Sequence, residues 1–247
     1  MFTITVPTKD RPQMLQRALK SILAQDYKQF EILVVDDGDG AGVACAAAMG
    51  DPRIIAFSSG HAGQVGARNQ AIGKAKGRWI AWLDDDDWWE DTGHLTRFAH
   101  VLEQDDALTF ASGTAVWEAA DGREVERIAF TARTDAVSIR KDNMLLSSGI
   151  AYPRALHEKF GAFDASLPVY WDWDWYLRLI GAGIPARHSG GAGVCISCRT
   201  NNVSSGGNQD LRRADLARFA GKHGLTGLVL KNHEEIARSE GGGRGQA

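Results

Sequence analysis

Apolar runs alternate with helix-period segments through the first half of the chain. Positions 2–6 read FTITV, a short β-rich run. Pro12 then suits the first position of a helix, and Leu15, Ala18, Leu19, Ile22 and Leu23 recur at spacings of three and four on one face. FEILVV at 30–35 reads as a second, buried strand, stopped by Asp36, Asp37 and Gly38, and RIIAF at 53–57 as a third. Val65, Ala67, Ala71, Ile72 and Ala75 predict another helix, closed by Gly77. WIAWL at 79–83 is apolar at every position, the pattern of a strand covered on both faces.

Repeated strand–helix–strand order implies an α/β fold, a mostly parallel sheet with helices on both faces. Ligands of such sheets bind beyond the carboxyl ends of the strands. Two of those ends are acidic here, at Asp36-Asp37 and at Asp84 to Asp87. The second half is less regular. Helices are expected over 94–103, 153–160, 172–180, 211–223 and 228–238, and strands over 107–111, 114–118 and 192–199, with a turn at Asp121-Gly122. The expected organisation is one domain over 1–240 on a continuous sheet. It has a nucleotide-side half over 1–88, an acceptor-side half over 89–205 and a C-terminal helical segment over 206–240. Residues 241–247, GGRGQA after a further Gly, form a disordered tail in this reading.

Composition narrows the class. The 247 residues are 44% hydrophobic and 24% charged, ordinary for a folded protein. The formal net charge of -3 shows no basic footprint for nucleic acid. No stretch approaches the roughly 18 apolar residues of a transmembrane span. The N-terminus lacks the basic-then-apolar order of a signal peptide. Three cysteines do not make a paired framework, and the expectation is a cytoplasmic chain.

Asp84-Asp85-Asp86-Asp87 is the strongest chemical feature. Four adjacent carboxylates at a strand end repel one another, and Mg²⁺ or Mn²⁺, which prefers oxygen ligands and shares them with phosphates, would offset that repulsion. A solvated acidic turn has no need of the buried strand before it or of Trp88-Trp89 after it. Asp36-Asp37 could accept hydrogen bonds from a ribose or base, or form a plain Asp-Gly turn, and the residues alone leave both open. Gly38 to Gly42 lacks the spacing of a dinucleotide fingerprint. WDWDWY at 171–176 opens a helix. Its acids fit N-terminal capping, and its aromatics flanking two acids also fit a sugar-binding wall around a general base. Cys195 and Cys198 form a lone C-x-x-C with no second pair for zinc, and structural cysteines on a strand are expected.

These segments resemble the family 2 glycosyltransferases over about residues 2–205. ITVPTKDR, FEILVVDDGDG, GARNQAIGKAKGRWIAWLDDDDWW, FGAFDASLP and WDWDWYLRL stand in family order. The resemblance implies the GT-A fold, a Rossmann-like mostly parallel sheet with an acceptor-side subregion and C-terminal helices. It also implies inverting transfer from a nucleoside-diphosphate sugar, UDP-linked in the first instance, assisted by Mn²⁺ or Mg²⁺. Residue by residue, Pro7, Thr8 and Arg11 would line the nucleotide pocket and Asp37 would bind the base. Arg68 and Asn69 would stand beside the donor. Asp84 and Asp86 match the outer carboxylates of the family's D-x-D, with Asp86 as principal metal ligand and Asp84 or Asp85 near the ribose or metal waters. Asp172 matches the general base, with Asp174 the second candidate, and Arg199 matches an arginine near the diphosphate.

Two positions depart from the family pattern. Trp171 stands where an acidic neighbour of the base is common, and Asn201 where a histidine is common. The acceptor implied is a saccharide or a lipid-linked saccharide of polysaccharide or glycoconjugate assembly, with peripheral contact at the inner membrane face compatible. The alternative is a non-catalytic nucleotide-sugar-binding protein.

Overall fold

A computed structural model describes residues 1–119, 121–198, 209–231, 235, 237 and 238. The chain starts with β1 (Phe2–Thr8), α1 (Pro12–Leu23), β2 (Phe30–Asp36), α2 (Ala41–Ala48), β3 (Ile54–Ser58), α3 (Gly63–Lys74) and β4 (Trp79–Trp82). It continues through β5 (Trp88–Trp89), α4 (His94–Gln104), β6 (Leu108–Phe110), β7 (Gly113–Glu118), β8 (Glu124–Phe130), β9 (Ile150–Pro153) and α5 (Ala155–Phe160). α6 (Trp171–Gly181), β10 (Ala186–His188), β11 (Val194–Cys198) and α7 (Gln209–His223) follow.

Seven strands form the main sheet in the order β10-β6-β9-β4-β1-β2-β3. β1 pairs parallel with β2 and β4, and β2 with β3. β9 alone runs against its neighbours β4 and β6. Because successive side chains alternate faces, each buried strand feeds two layers. Trp79, Ala81 and Leu83 join Phe2, Ile4 and Val6 under α1, while Ile80 and Trp82 face the aromatic cluster of α6. Leu33 and Val35 pack on Ala67 and Ala71 of α3. The α1 stripe is as the spacing predicts: Leu15, Ala18, Leu19 and Ile22 are fully buried. A fully buried Leu or Ile contributes roughly 1.5–3 kcal/mol.

The expected continuous sheet is corrected. β5, β11, β7 and β8 form a separate four-stranded sheet in that order. The chain leaves the main sheet after β4, and β11 returns to pair parallel with β7 and antiparallel with β5. Pro153 closes β9 by pairing with Trp79, so the helix expected from 153 starts at Ala155. Residues 228–231 of the expected last helix are not helical. The 241–247 tail lies outside the described residues.

α2 has no counterpart in the sequence pattern, since AGVACAAA shows no apolar stripe. Its start is set by Asp36, whose Oδ2 accepts the N–H groups of Gly42 and Val43 while Oδ1 accepts that of Gly38. Gly42 is required by closeness: a Cβ there would lie 2.5 Å from Thr8 Cγ2 and 2.9 Å from Asp36 Oδ2. Asp36 is thus fully buried and structural, and the Gly38–Gly42 stretch is a helix start.

Candidate functional site

The parallel strands β1, β2 and β4 end at one edge of the main sheet, and a cleft of about 540 Å³ opens there. Pro7, Thr8 and Arg11 come from the end of β1, Asp37 from the end of β2, and Asp84 to Asp87 from the end of β4. Gln64 and Arg68 come from the first turns of α3, and Trp171, Asp172 and Trp173 from the start of α6.

The four carboxylates at the end of β4 are not an open acidic turn. Asp84 accepts Arg68 Nη2 at 2.5 Å on one oxygen and Ser147 Oγ at 2.8 Å on the other. Asp85 accepts Thr8 Oγ1 at 2.7 Å. Asp86 accepts Arg11 Nη1 at 2.9 Å. Asp87 accepts Ser148 Oγ at 2.5 Å and the Ser197 N–H at 3.0 Å, which fixes it to β11. Burial, and then the Asp86 charge, pushes the Asp85 carboxyl up to about 7. Burial raises Asp86 and Asp87 as well, with neighbouring carboxylates adding to it. Only Arg11 and Arg68 offset this negative charge among the bonds above.

Asp37, at the end of β2, faces the start of α3. Its Oδ1 accepts Ser59 Oγ at 2.5 Å and the Gly63 N–H at 3.0 Å, so the carboxylate is held rigidly at the cleft wall. Arg68, one turn along α3, is buried and stacks on the Trp171 ring with its guanidinium carbon 4.4 Å from the centroid. Trp171 therefore supplies a flat face to a cation where the family often has a carboxylate. Asn69 is the expected site residue that the structure places elsewhere. It does not line the cleft, because its amide donates to Phe163 O and accepts the Phe163 N–H, both at 3.0 Å. It clamps the 161–170 loop that leads into α6.

Asp172 is half-buried at the second position of α6. One oxygen accepts the Trp173 N–H at 2.7 Å and the other the Asn143 amide at 3.2 Å. Burial pushes its carboxyl up to about 6, while the Trp173 and Asn143 hydrogen bonds and the Arg68 charge pull the other way. A carboxylate with that value is suited to accept a proton near neutral pH. Asp174 is a different kind of residue. It is fully buried, faces Arg178, Lys222 and His223 at 2.7 to 2.9 Å, and joins α6 to α7 away from the cleft. The two acids of the WDWDWY segment thus divide between cleft and core.

Asn143, Ser147 and Ser148 were not visible as site residues in the sequence. One short segment carries all three and bonds both Asp172 and the β4 carboxylates. Polar residues in an irregular stretch carry no spacing signal that would have found them. Cys195 is buried on β11, and Cys198, half-buried at the end of the same strand, lines the cleft. Arg199 and Asn201 lie outside the described residues.

The donor set can be tested for a divalent cation. Hard cations of the Mg²⁺ type are commonly held by one or two carboxylates plus substrate phosphates and water. Asp84 and Asp86 on the cleft wall fit that arrangement. Among the described residues no cluster of three or more His, Cys, Asp or Glu side chains offers a ready all-protein cage. No described helix is long and apolar enough to cross a membrane.

Comparison with known proteins shows the family and the fold. The model of the family described as Glycosyl transferase family 2 matches residues 3–159. The uncharacterized glycosyltransferase YwdF of Bacillus subtilis (strain 168) is 32% identical over 239 residues, spanning 94% of this chain and 87% of that protein. Among solved structures, S. aureus TarS 1-349 in complex with UDP-GlcNAc superposes with a TM-score of 0.65 at 18% identity, over 95% of this chain and 69% of that one. The mannosyltransferase PcManGT from Pyrobaculum calidifontis, in complex with GDP-Man and Mn2+, gives 0.63 at 16% identity, over 96% of this chain and 66% of that one. The chain spans 39% of a longer crystallised TarS chain.

Proposed function

The chain belongs to glycosyl transferase family 2 and has the GT-A fold, and from that premise we propose that it moves a sugar from a UDP-linked donor to an acceptor hydroxyl with inversion at the anomeric carbon. The observation that carries this reading is Asp172. It is a half-buried carboxylate raised to about 6, set in the same cleft as Asp37 and the Asp84–Asp86 group.

In this mechanism Thr8, Arg11 and Asp37 hold the nucleotide at the ends of β1 and β2. Asp37 is preset for hydrogen bonding by Ser59 and Gly63. Asp86, with Asp84 and Asp85 beside it, would hold a Mn²⁺ or Mg²⁺ ion whose charge offsets that developing on the departing diphosphate. Arg68 is kept beside Asp84 by a 2.5 Å bond and aligned by Trp171. Arg199 is proposed to assist at the diphosphate. Asp172 takes the proton from the acceptor hydroxyl as its oxygen attacks, on the face of the sugar opposite the leaving group. A single displacement of this kind needs no protein nucleophile, and Asp174 is committed to the α6–α7 contact. The proposed acceptor is a saccharide or lipid-linked saccharide of polysaccharide or glycoconjugate assembly. The proposed setting is the cytoplasm, with peripheral contact at the inner membrane face.

Asp172→Asn tests the assignment. The variant is expected to bind donor as the parent does and to lose transfer by at least 100-fold, the lower range of general base contributions. Undiminished transfer would remove Asp172 from the role.

A further inference from the structure

Arg212, in the first turn of α7, lies beyond the residues that the family model matches. It is 3% exposed and lines the cleft. A buried guanidinium normally has a carboxylate beside it, as Arg68 has Asp84, because an unpaired buried charge is costly. Arg212 has none among the described residues. Nη2 donates to the Lys231 carbonyl at 2.5 Å, the guanidinium sits by the Tyr170 hydroxyl, and Nε has no hydrogen-bond partner.

The nearby acids are otherwise engaged. Asp215 gives one oxygen to the N–H groups of Val169 and Tyr170 and the other to Arg218. Asp142 pairs with Lys231, whose side chain also lines the cleft. Asp172 is bonded to Trp173 and Asn143. These contacts place Arg212 and Lys231 with Asp142, Tyr170 and Asp172, at the base's end of the cleft. The proposed nucleotide residues at the ends of β1, β2 and β4 bond among themselves.

We propose that Arg212 and Lys231 form a subsite for a phosphate group carried by the acceptor. This rests on the glycosyltransferase reading and specifies its acceptor: a sugar bearing a phosphate or diphosphate ester, held so that its hydroxyl meets Asp172. A guanidinium is well matched to phosphate, since its planar donors pair with two oxygens at once. Lys231 would exchange Asp142 for the incoming anion. Val229, which lines the cleft and is 66% exposed, and Leu211, 45% exposed and next to Arg212, offer apolar surface to a chain attached to that phosphate.

The test is calorimetry on the full chain saturated with UDP and Mg²⁺, titrated with decyl phosphate, methyl phosphate and neutral decyl glucoside. The wild type is expected to bind decyl phosphate at least 10-fold more tightly than decyl glucoside. Arg212→Gln is expected to lose that preference while its UDP affinity stays within twofold. Lys231→Ala, at a half-exposed site, serves if Arg212→Gln fails to fold, and is expected to weaken phosphate binding several-fold. Decyl phosphate binding well above methyl phosphate identifies a lipid-type ester. Equal binding identifies the phosphoryl group alone, as in a soluble phosphosugar, and either supports the subsite. No preference for phosphate in the UDP-saturated wild type would overturn the proposal. Loss of UDP affinity in Arg212→Gln would also overturn it, by assigning Arg212 to the donor. Failure of the wild type to bind UDP at all would instead defeat the donor reading.

Discussion

Replacing Asn143 by Leu removes its contact to the proposed base, together with the bond its Oδ1 accepts from the Leu145 N–H at 3.1 Å. The Asn143 amide donates to Asp172 Oδ2 at 3.2 Å and stabilises the ionised carboxylate more than the neutral acid. Hydrogen bonds to charged groups contribute roughly 1.5–3 kcal/mol, and a 3.2 Å bond at a half-buried site belongs at the low end. One pKa unit corresponds to about 1.4 kcal/mol, so the loss raises Asp172 by about one unit. The sign follows from the role. A general base works ionised, so activity falls as pH drops through its pKa, and a less stable carboxylate moves that acid limb upward. The limb is expected near 6 in the parent, from the value to which burial pushes Asp172. In Asn143→Leu it is expected near 7. The assay is UDP release from the donor with water as acceptor, followed as kcat/KM from pH 5 to 9. The variant should be about fivefold slower at pH 6 and within twofold of the parent at pH 8.5. An unmoved acid limb would refute the reasoning, as would the same limb persisting in Asp172→Asn.

Three further outcomes are expected. Because burial raises Asp172 above its unfolded value, its contribution to stability is full below about 4 and is lost as pH rises through about 6. Asp172→Asn should therefore raise stability at pH 8 by about 1–2 kcal/mol, after allowing for partial exposure, and by little at pH 4; urea unfolding at the two pH values reads this. Asp174→Asn removes a fully buried partner of Arg178, Lys222 and His223 and should cost about 3 kcal/mol in thermal or urea unfolding, with donor binding retained. Asp36→Ala leaves the N–H groups of Gly38, Gly42 and Val43 without their acceptor and should cost about 2–3 kcal/mol, with faster amide exchange at the start of α2.

The elements that were legible in the sequence are those with a strong period or an unbroken apolar run. The α1 stripe at Leu15, Ala18, Leu19 and Ile22, and the doubly covered β2 and β4, are where the pattern puts them. Their ends located the acidic positions, and Asp37, Asp84 to Asp86 and Asp172 converge on one cleft. What was not legible has physical causes. Small residues throughout Ala41–Ala48 leave no stripe to read, and the helix depends on a carboxylate five positions upstream. β9 and β10, four and three residues long, are too short to show alternation. The separate sheet depends on β11 pairing with β5 and β7, contacts between segments far apart in sequence. Asp172 and Asp174 are indistinguishable by type and position, and only packing sends one to the cleft and the other into the core. Asn69 matched a motif, yet its amide is consumed by the Phe163 backbone. Arg212 had no motif, and its burial with no carboxylate beside it among the described residues is visible only in three dimensions.

The central claim, a nucleotide-sugar site at the ends of β1, β2 and β4, is tested most directly by calorimetric titration of UDP, dTDP, GDP and CDP. Each titration is run with Mn²⁺ and with EDTA, on the parent and on Asp86→Ala. The account predicts that UDP binds the parent in Mn²⁺, and at least 10-fold more weakly with EDTA or in the variant, equivalent to about 1.4 kcal/mol or more. Absence of nucleotide binding by the folded parent, with or without metal, would contradict it.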